Sequence, residues 1–181
     1  MSAELSSLHL PWILAVVVAL VAGMGDLRTR KIPNRLTVSA LLIGLALNGA
    51  LGGWHGLLMS LEGAGVGLGL LLPVVLLRGL GAGDWKLMGA LGALVGPNET
   101  IIILLVSFCM AAGWGVVEMF RQHRVKSTLR NLWELVSGFV VFGLRPNPNI
   151  SIDAQPLIKL PFGAVTAVAT AVALSVAWLG L

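Results

Sequence analysis

The chain has 181 residues, of which 57% are hydrophobic and only 11% are charged, with a formal net charge of +4 at pH 7. Soluble domains carry roughly a quarter charged residues, so this composition excludes an ordinary soluble domain and indicates an integral membrane protein. The twelve lysine and arginine residues fall in a few connections, so the positive charge indicates membrane topology rather than nucleic-acid binding.

Apolar runs along the chain predict an all-α membrane protein with about six transmembrane helices in a single domain over residues 1–181. A helical crossing needs roughly 20 apolar residues, and the fourth run is short enough that we expect it to tilt or to start deeper. The runs occupy 9–25, 36–52, 57–77, 85–96, 100–119 and 161–181.

The basic residues predict the orientation of these helices. If each run crosses once, every lysine and arginine lies in the first, third or fifth connection, and the second and fourth have none. The positive-inside rule places the basic side in the cytoplasm and the N-terminus outside. No basic residue precedes the first run, whereas a cleaved signal peptide begins with basic residues, so we expect an uncleaved first helix.

The segment 129–144 leaves two interpretations open. It is apolar but short, and a seventh crossing there would put Arg145 and Lys159 on the outer side. An interfacial helix on the cytoplasmic face fits the charge pattern better. The proline-rich segment 145–160 then predicts an irregular cytoplasmic loop, which by its position is a candidate flap over a site.

Glycines within the third and fourth runs indicate a closely packed bundle. Gly65 and Gly69 form a GxxxG pair, which predicts close backbone approach between helices. The single cysteine, Cys109, lies in an apolar run and is expected to pack there, since one thiol cannot form a multi-thiolate zinc site. The chain also lacks an HExxH motif, so we expect neither a metal nor another cofactor.

Two aspartates at the ends of apolar runs are the candidate catalytic residues. Asp26 ends the first run and Asp84 precedes the fourth, and two intervening crossings return the chain to the same face. Taken singly, Asp26 is compatible with a solvated loop acid and Asp84 with a helix N-cap. Together, two close carboxylates share a proton and supply a general base and a general acid. The pair predicts metal-free peptide hydrolysis at the cytoplasmic membrane surface.

The glycines before Asp84 carry two further expectations. Gly81 and Gly83 leave room for an extended peptide backbone to approach the carboxylate, and they allow backbone angles that a side chain would forbid.

At these residues the sequence resembles the type IV prepilin peptidases, which are aspartic proteases of the GxGD type. Their first motif, an aspartate followed by basic residues and Pro-Asn, is similar to Asp26–Asn34, which includes Arg28 and Pro33. Their second motif, GxGDxK, is similar to Gly81–Lys86. A Pro-Phe-Gly at the start of the last helix matches Pro161, Phe162 and Gly163.

The resemblance implies that Asp26 and Asp84 are the catalytic pair and that the protein is a peptidase of the bacterial inner membrane. It implies prepilin-like substrates that carry a basic leader before a hydrophobic helix. Larger members add an N-terminal methyltransferase domain with a cysteine zinc motif. This chain looks like the compact, peptidase-only form of tight-adherence (Flp) pilus systems, in which any methylation needs another protein.

Several residues of the motifs keep more than one interpretation. Arg28 and Lys86 fix topology, or they lower the cost of charging the pair and orient the scissile carbonyl. Pro33 and Asn34 are expected to shape the turn into the second run rather than to touch substrate.

Two alternative functions stay open at this point. One is a non-catalytic membrane scaffold or channel subunit. The other is a different aspartic peptidase, such as a lipoprotein signal peptidase, which cuts near the outer face. The oligomeric state does not follow from the sequence.

Overall fold

The computed structural model describes residues 2–76, 80–121 and 162–179, and all regular secondary structure in these residues is helical. The prediction of an all-α protein is confirmed for this part of the chain. Five helices are described there, and we number them in chain order. They are α1 (Ser2–Thr29), α2 (Asn34–Leu76), α3 (Ala82–Val95), α4 (Pro97–Arg121) and α5 (Phe162–Leu179).

Two compact units make up the chain. The first comprises Met1–Met110 and Pro161–Leu181, and it contains both aspartates. The second comprises Ala111–Leu160, of which only the last part of α4 is described. The predicted interfacial helix at 129–144, the loop at 145–160 and Pro161 lie outside the described residues.

Three of the described helices are long and apolar enough to cross a membrane, namely the segments Leu10–Thr29, Asn34–Leu76 and Pro97–Glu118. Phe162–Trp178 is apolar but shorter. All six predicted runs fall largely on helices, whereas the number of crossings and their orientation remain predictions. With 14 residues, α3 spans about 21 Å, which is shorter than a bilayer core of about 30 Å.

The long helix α2 is a hairpin of two arms that break at Gly53. The φ of 59° and ψ of −141° of Gly53 lie outside the helical region, in a conformation that glycine adopts without steric cost. Beyond the break the chain folds back so closely that a β-carbon on Gly56 would overlap the carbonyl of Asn48. The break therefore separates the second and third predicted runs.

Both arms of α2 pack along α3, one parallel to it and one antiparallel. On the first arm, Asn48 donates side-chain hydrogen bonds to the carbonyls of Ala93 at 2.9 Å and Leu94 at 3.1 Å. On the second arm, Ser60 donates to the same Ala93 carbonyl at 2.5 Å. The Leu68 carbonyl, on the same arm, accepts a hydrogen bond from the Trp85 indole at 2.7 Å. The start of the first arm and the end of the second therefore lie at the same end of α3.

Glycine makes the α2–α3 contact possible, but not at the glycines that the sequence indicated. Gly65 and Gly69 are exposed and have open space where a β-carbon would lie, so the prediction for this pair is wrong. Gly63 and Gly67 face α3 instead, and a β-carbon on either would overlap backbone atoms of Gly92 or Met88. Two GxxxG pairs overlap in one run, and only the position of α3 decides which pair is buried.

Candidate active site

Asp26 lies in the last turn of α1, and its side chain is 9% exposed. The helix ends at Thr29, where Arg30 takes a positive φ of 52° and its N–H still reaches the Asp26 carbonyl at 2.9 Å. The carbonyl end of a helix carries a partial negative charge, which disfavours a carboxylate. Asp26 therefore needs a hydrogen-bonding partner from another helix.

That partner comes from the start of α5. The backbone N–H of Gly163, a buried donor in the first turn of this helix, donates to Asp26 Oδ2 at 3.0 Å. Amides at a helix N-terminus are free to bind anions and carry the positive end of the helix dipole. This hydrogen bond joins the start of α5 to the end of α1 and holds the Asp26 carboxyl in place.

Small residues let α5 approach α1 closely enough for this bond. A β-carbon on Gly23, one turn before Asp26, would lie 3.1 Å from Ala164 Cα and 3.1 Å from Ala167 Cβ. Gly163 has the same constraint, because its β-carbon would lie 3.1 Å from Asp26 Cβ. Phe162 is buried beside this contact, with its ring centroid 5.9 Å from that of Phe108.

Asp84 lies in the first turn of α3, but it is not the N-cap. Gly81 occupies that position with φ −72° and ψ 145° and has no side chain that could cap the helix, so the expectation of Asp84 as the N-cap is wrong. The helix starts at Ala82, which leaves Asp84 as its third residue, where a side chain reaches back toward the N-cap N–H. The Asp84 carboxylate accepts such a backbone hydrogen bond from Gly81.

The surroundings of Asp84 favour its protonated form. Asp84 lies outside the three helices long enough to cross a membrane. The pKa of Asp84 is raised from its ordinary value of 3.8 to about 6, mainly by burial and also by the nearby Asp26 carboxylate, while the Gly81 hydrogen bond acts against both. Asp84 Oδ1 is buried and has no hydrogen-bond partner among the described residues. A proton on this carboxyl is therefore available to another group.

Neither glycine before Asp84 has the unusual backbone angles that the sequence suggested. Gly81 has ordinary extended backbone angles, and Gly83 is helical rather than left-handed. The space beside Gly83 is filled by protein, because its β-carbon would lie 3.3 Å from Ile32 Cβ. A β-carbon on Gly81 would lie 3.2 Å from Asp84 Oδ2. Gly83 therefore serves packing, and Gly81 leaves the Asp84 carboxylate uncrowded.

The other motif residues lie around the start of α2. Lys86 Nζ donates to Asn34 Oδ1 at 3.1 Å, which joins the first residue of α2 to α3. The Pro33 carbonyl accepts the N–H groups of Leu36 at 3.1 Å and Thr37 at 3.4 Å, so Pro33 starts the helix. Arg28 is exposed in the last turn of α1. The described charged residues of these segments are Asp26, Arg28, Arg30, Lys31, Arg35, Asp84 and Lys86.

Ile32 is a site residue that motif reasoning missed. It lies between the basic residues and Pro33, and a β-carbon on either Gly83 or Gly163 would lie within 3.3 Å of it. An isolated hydrophobic residue in an otherwise polar connection was the available signal, and only the fold shows what it contacts.

The chain is thus a helical membrane protein in which Asp26 and Asp84, far apart in sequence, lie close enough for the Asp26 carboxylate to raise the pKa of Asp84. A model of the type IV leader peptidase family matches residues 13–116, which are more than half of the chain. This segment includes Asp26 and Asp84 but ends before α5. The chain therefore belongs to the type IV leader peptidase family.

Curated relatives carry the name prepilin leader peptidase/N-methyltransferase. The protein of Escherichia coli (strain K12) is 36% identical over 111 residues, which are 58% of this chain and 49% of that protein. The protein of Xanthomonas campestris pv. campestris is 34% identical over 137 residues, which are 68% of this chain and 46% of that protein. The Aeromonas hydrophila protein is 31% identical over 145 residues, which are 75% of this chain and 48% of that protein.

The chain spans about half the length of these curated relatives. No solved structure matches it significantly.

Proposed function

We propose that this protein is a prepilin leader peptidase, an aspartic endopeptidase in which Asp26 and Asp84 hydrolyse the bond after a basic leader. One observation carries the proposal. Asp26 and Asp84 lie on different helices, yet the carboxylate of Asp26 is close enough to raise the pKa of Asp84. Membership of the family and the names of the relatives support the same reaction.

The different surroundings of the two aspartates support a division of roles. Asp26, which accepts the Gly163 N–H, is the ionised general base that takes a proton from water. The water oxygen then forms a bond to the scissile carbonyl carbon. Asp84 is the general acid, and it donates its proton to the amide nitrogen as the carbon–nitrogen bond breaks. One water is consumed, and the proton gained by Asp26 restores the pair by passing to Asp84.

The orientation of the chain supports a substrate cut at the cytoplasmic face of the inner membrane. The basic residues Arg28, Lys31 and Arg35 lie close in sequence to Asp26, and the positive-inside rule puts them in the cytoplasm. A prepilin that carries a basic leader before a hydrophobic helix brings its cleavage site to this boundary. The bilayer and this substrate are the partners that we propose.

Co-expression with candidate prepilins tests the function directly. We expect wild-type protein to shorten the prepilin, and Asp26→Asn or Asp84→Asn to lower the rate by about 10²–10⁴-fold, as for loss of a general acid or base. Glu99→Gln is the matched control, since it makes the same isosteric change in the first turn of α4, beyond the other end of α3. The prepilin size shift and membrane insertion are measured together.

The same experiment separates the alternatives. Normal processing by both aspartate variants would exclude the pair as catalytic, and no cleavage by purified wild-type protein would favour a scaffold or channel. Labelling of Asp26→Cys only from outside the cell would overturn the orientation and favour a peptidase that cuts at the outer face.

A further inference from the structure

Ile32 occupies an unusual place in the connection between α1 and α2. Its neighbours Lys31 and Pro33 are exposed, whereas Ile32 is half-buried. It packs against a core cluster to which α1, α3 and α5 contribute, including Ala22, Leu87 and Ala167. A four-residue connection thus inserts one hydrophobic side chain between three helices.

Two atoms of this side chain lie beside two glycines that adjoin the aspartates. Ile32 Cβ would lie 3.3 Å from a β-carbon on Gly83, the residue immediately before Asp84. Ile32 Cδ1 would lie 3.2 Å from a β-carbon on Gly163, the residue whose N–H binds Asp26. Both glycines lack a side chain where Ile32 approaches them.

We infer that Ile32 is a positioning residue, a wedge between Gly83 and Gly163 that sets the separation of the Asp26 and Asp84 carboxylates. This inference rests on the proposed function, because a fixed separation matters for a pair that shares a proton. A β-branched side chain has few rotamers, so isoleucine keeps a constant width at this contact. Without that width α5 and α3 can approach, and the Gly163 N–H no longer holds Asp26 at its distance from Asp84.

Ile32→Val removes Cδ1, the atom that approaches Gly163, and keeps the Cβ that approaches Gly83. We expect kcat for prepilin cleavage to fall about ten- to hundredfold, since small misplacements of reacting groups have effects of this size, with KM little changed. We also expect the alkaline limb of the pH–rate profile to move, because it reports the coupling of the two carboxylates.

Ile103→Val is the matched control. Ile103 is fully buried in a cluster with Leu71, Met88 and Ala173, so it undergoes the same change in a cluster other than the one that Ile32 packs against. A purely structural role for Ile32 predicts that both variants lose activity in proportion to their loss of thermal stability, with unchanged pH profiles. Such a result would overturn the inference.

Gly83→Ala changes the same contact from the α3 side. It tests the inference even if Ile32→Val does not fold. Alanine favours a helix over glycine by about 1 kcal/mol, which offsets part of the cost of the 3.3 Å contact with Ile32. Its new methyl pushes Ile32, and we expect lower kcat together with a moved pH limb. Unchanged activity in Gly83→Ala would argue against the wedge even if Ile32→Val were unstable.

A readout independent of cleavage separates this inference from the proposed function. The chain has three aspartates, Asp26, Asp84 and Asp153, so carboxyl carbon NMR of labelled protein gives few signals, which the Asn variants assign. If wild-type protein fails to cleave prepilin but Ile32→Val still changes the titration of Asp84, only the proposed function fails. If cleavage is confirmed and the titration is the same in both proteins, only the wedge fails.

Discussion

Two helix contacts in this protein are built from glycine, and they serve different purposes. Between α2 and α3, glycines bring backbones together along most of the length of α3, at Gly44, Gly63 and Gly67. Between α1 and α5, Gly23 and Gly163 do the same over a short stretch that ends at Asp26. The first contact fixes the helix that carries Asp84, and the second supplies a hydrogen-bond donor to Asp26. The same residue type therefore supports the scaffold in one place and the chemistry in the other.

The difference lies in what a side chain would disturb. A methyl group in the α2–α3 contact meets helix backbone, which cannot move without separating the helices. A methyl group at Gly163 meets the side chains of Asp26 and Ile32, which can move at the expense of their geometry. The first change threatens folding, and the second threatens catalysis.

The largest effect is expected from Gly63→Ala. The added methyl would overlap the Gly92 carbonyl, so α2 and α3 must separate, and overpacking of this kind costs about 1–3 kcal/mol or more. We expect lower yield and a lower melting temperature in detergent. Gly65→Ala is the control, because a β-carbon on Gly65 faces open space and alanine favours a helix over glycine. Equal stability of the two variants would contradict the assignment of the buried glycine pair.

Gly163→Ala comes next, and its effect is on catalysis. It keeps the N–H donor but places a methyl 3.1 Å from Asp26 Cβ and 3.2 Å from Asp26 Oδ2, which moves the carboxylate. We expect about a hundredfold loss of kcat, as for misplaced catalytic groups, with the folded protein retained. Gly69→Ala, at an open position of α2, serves as the control. A loss of stability without a specific loss of kcat would make Gly163 a packing residue only.

The pH dependence tests the unequal surroundings of the two aspartates. Because the pKa of Asp84 is raised to about 6, this carboxyl loses its proton as the pH rises through that value. The proposed acid is then gone and two negative charges face each other, so kcat/KM falls on the alkaline side. Initial rates measured across this range in detergent or vesicles check the prediction. A rate that is constant through pH 6 would contradict the assignment of Asp84 as the acid.

The smallest effect is expected from the Lys86–Asn34 hydrogen bond. This bond is exposed, and a typical hydrogen bond contributes about 0.5–1.5 kcal/mol to stability. If Lys86 only ties α2 to α3, then Lys86→Met and Asn34→Ala each lower stability slightly and leave kcat nearly unchanged. A double-mutant cycle on the melting temperature checks the coupling. A large loss of kcat in Lys86→Met alone would instead indicate that the lysine acts on the substrate.

The sequence was sufficient for the helical fold and for the placement of Asp26 and Asp84 at one end of the bundle. Long apolar runs favour helices in a bilayer, and the two arms of α2 between the aspartates run in opposite directions, which returns the chain to the same end of α3. The break at Gly53 that produces the return lies in the short Gly52–Gly56 segment between two runs, where the sequence already indicated a connection.

Details that depend on a neighbouring helix could not be predicted in the same way. Gly65–Gly69 and Gly63–Gly67 are equivalent as patterns, and only the packing of α3 distinguishes them. The start of α3 at Ala82 rather than at Asp84 depends on the extended backbone of Gly81. The contact between Ile32 and Gly163 joins distant parts of the chain, for which a single sequence has no local signal.

The hydrogen bond from Gly163 to Asp26 joins residues that are 137 positions apart in the chain. During synthesis both aspartates leave the ribosome well before α5 does, so the base lacks its donor until the last described helix has been inserted. If the proposed roles of the two aspartates hold, proteolytic activity thereby depends on insertion of α5, and a nascent peptidase that lacks α5 is not expected to cut proteins that are being inserted beside it.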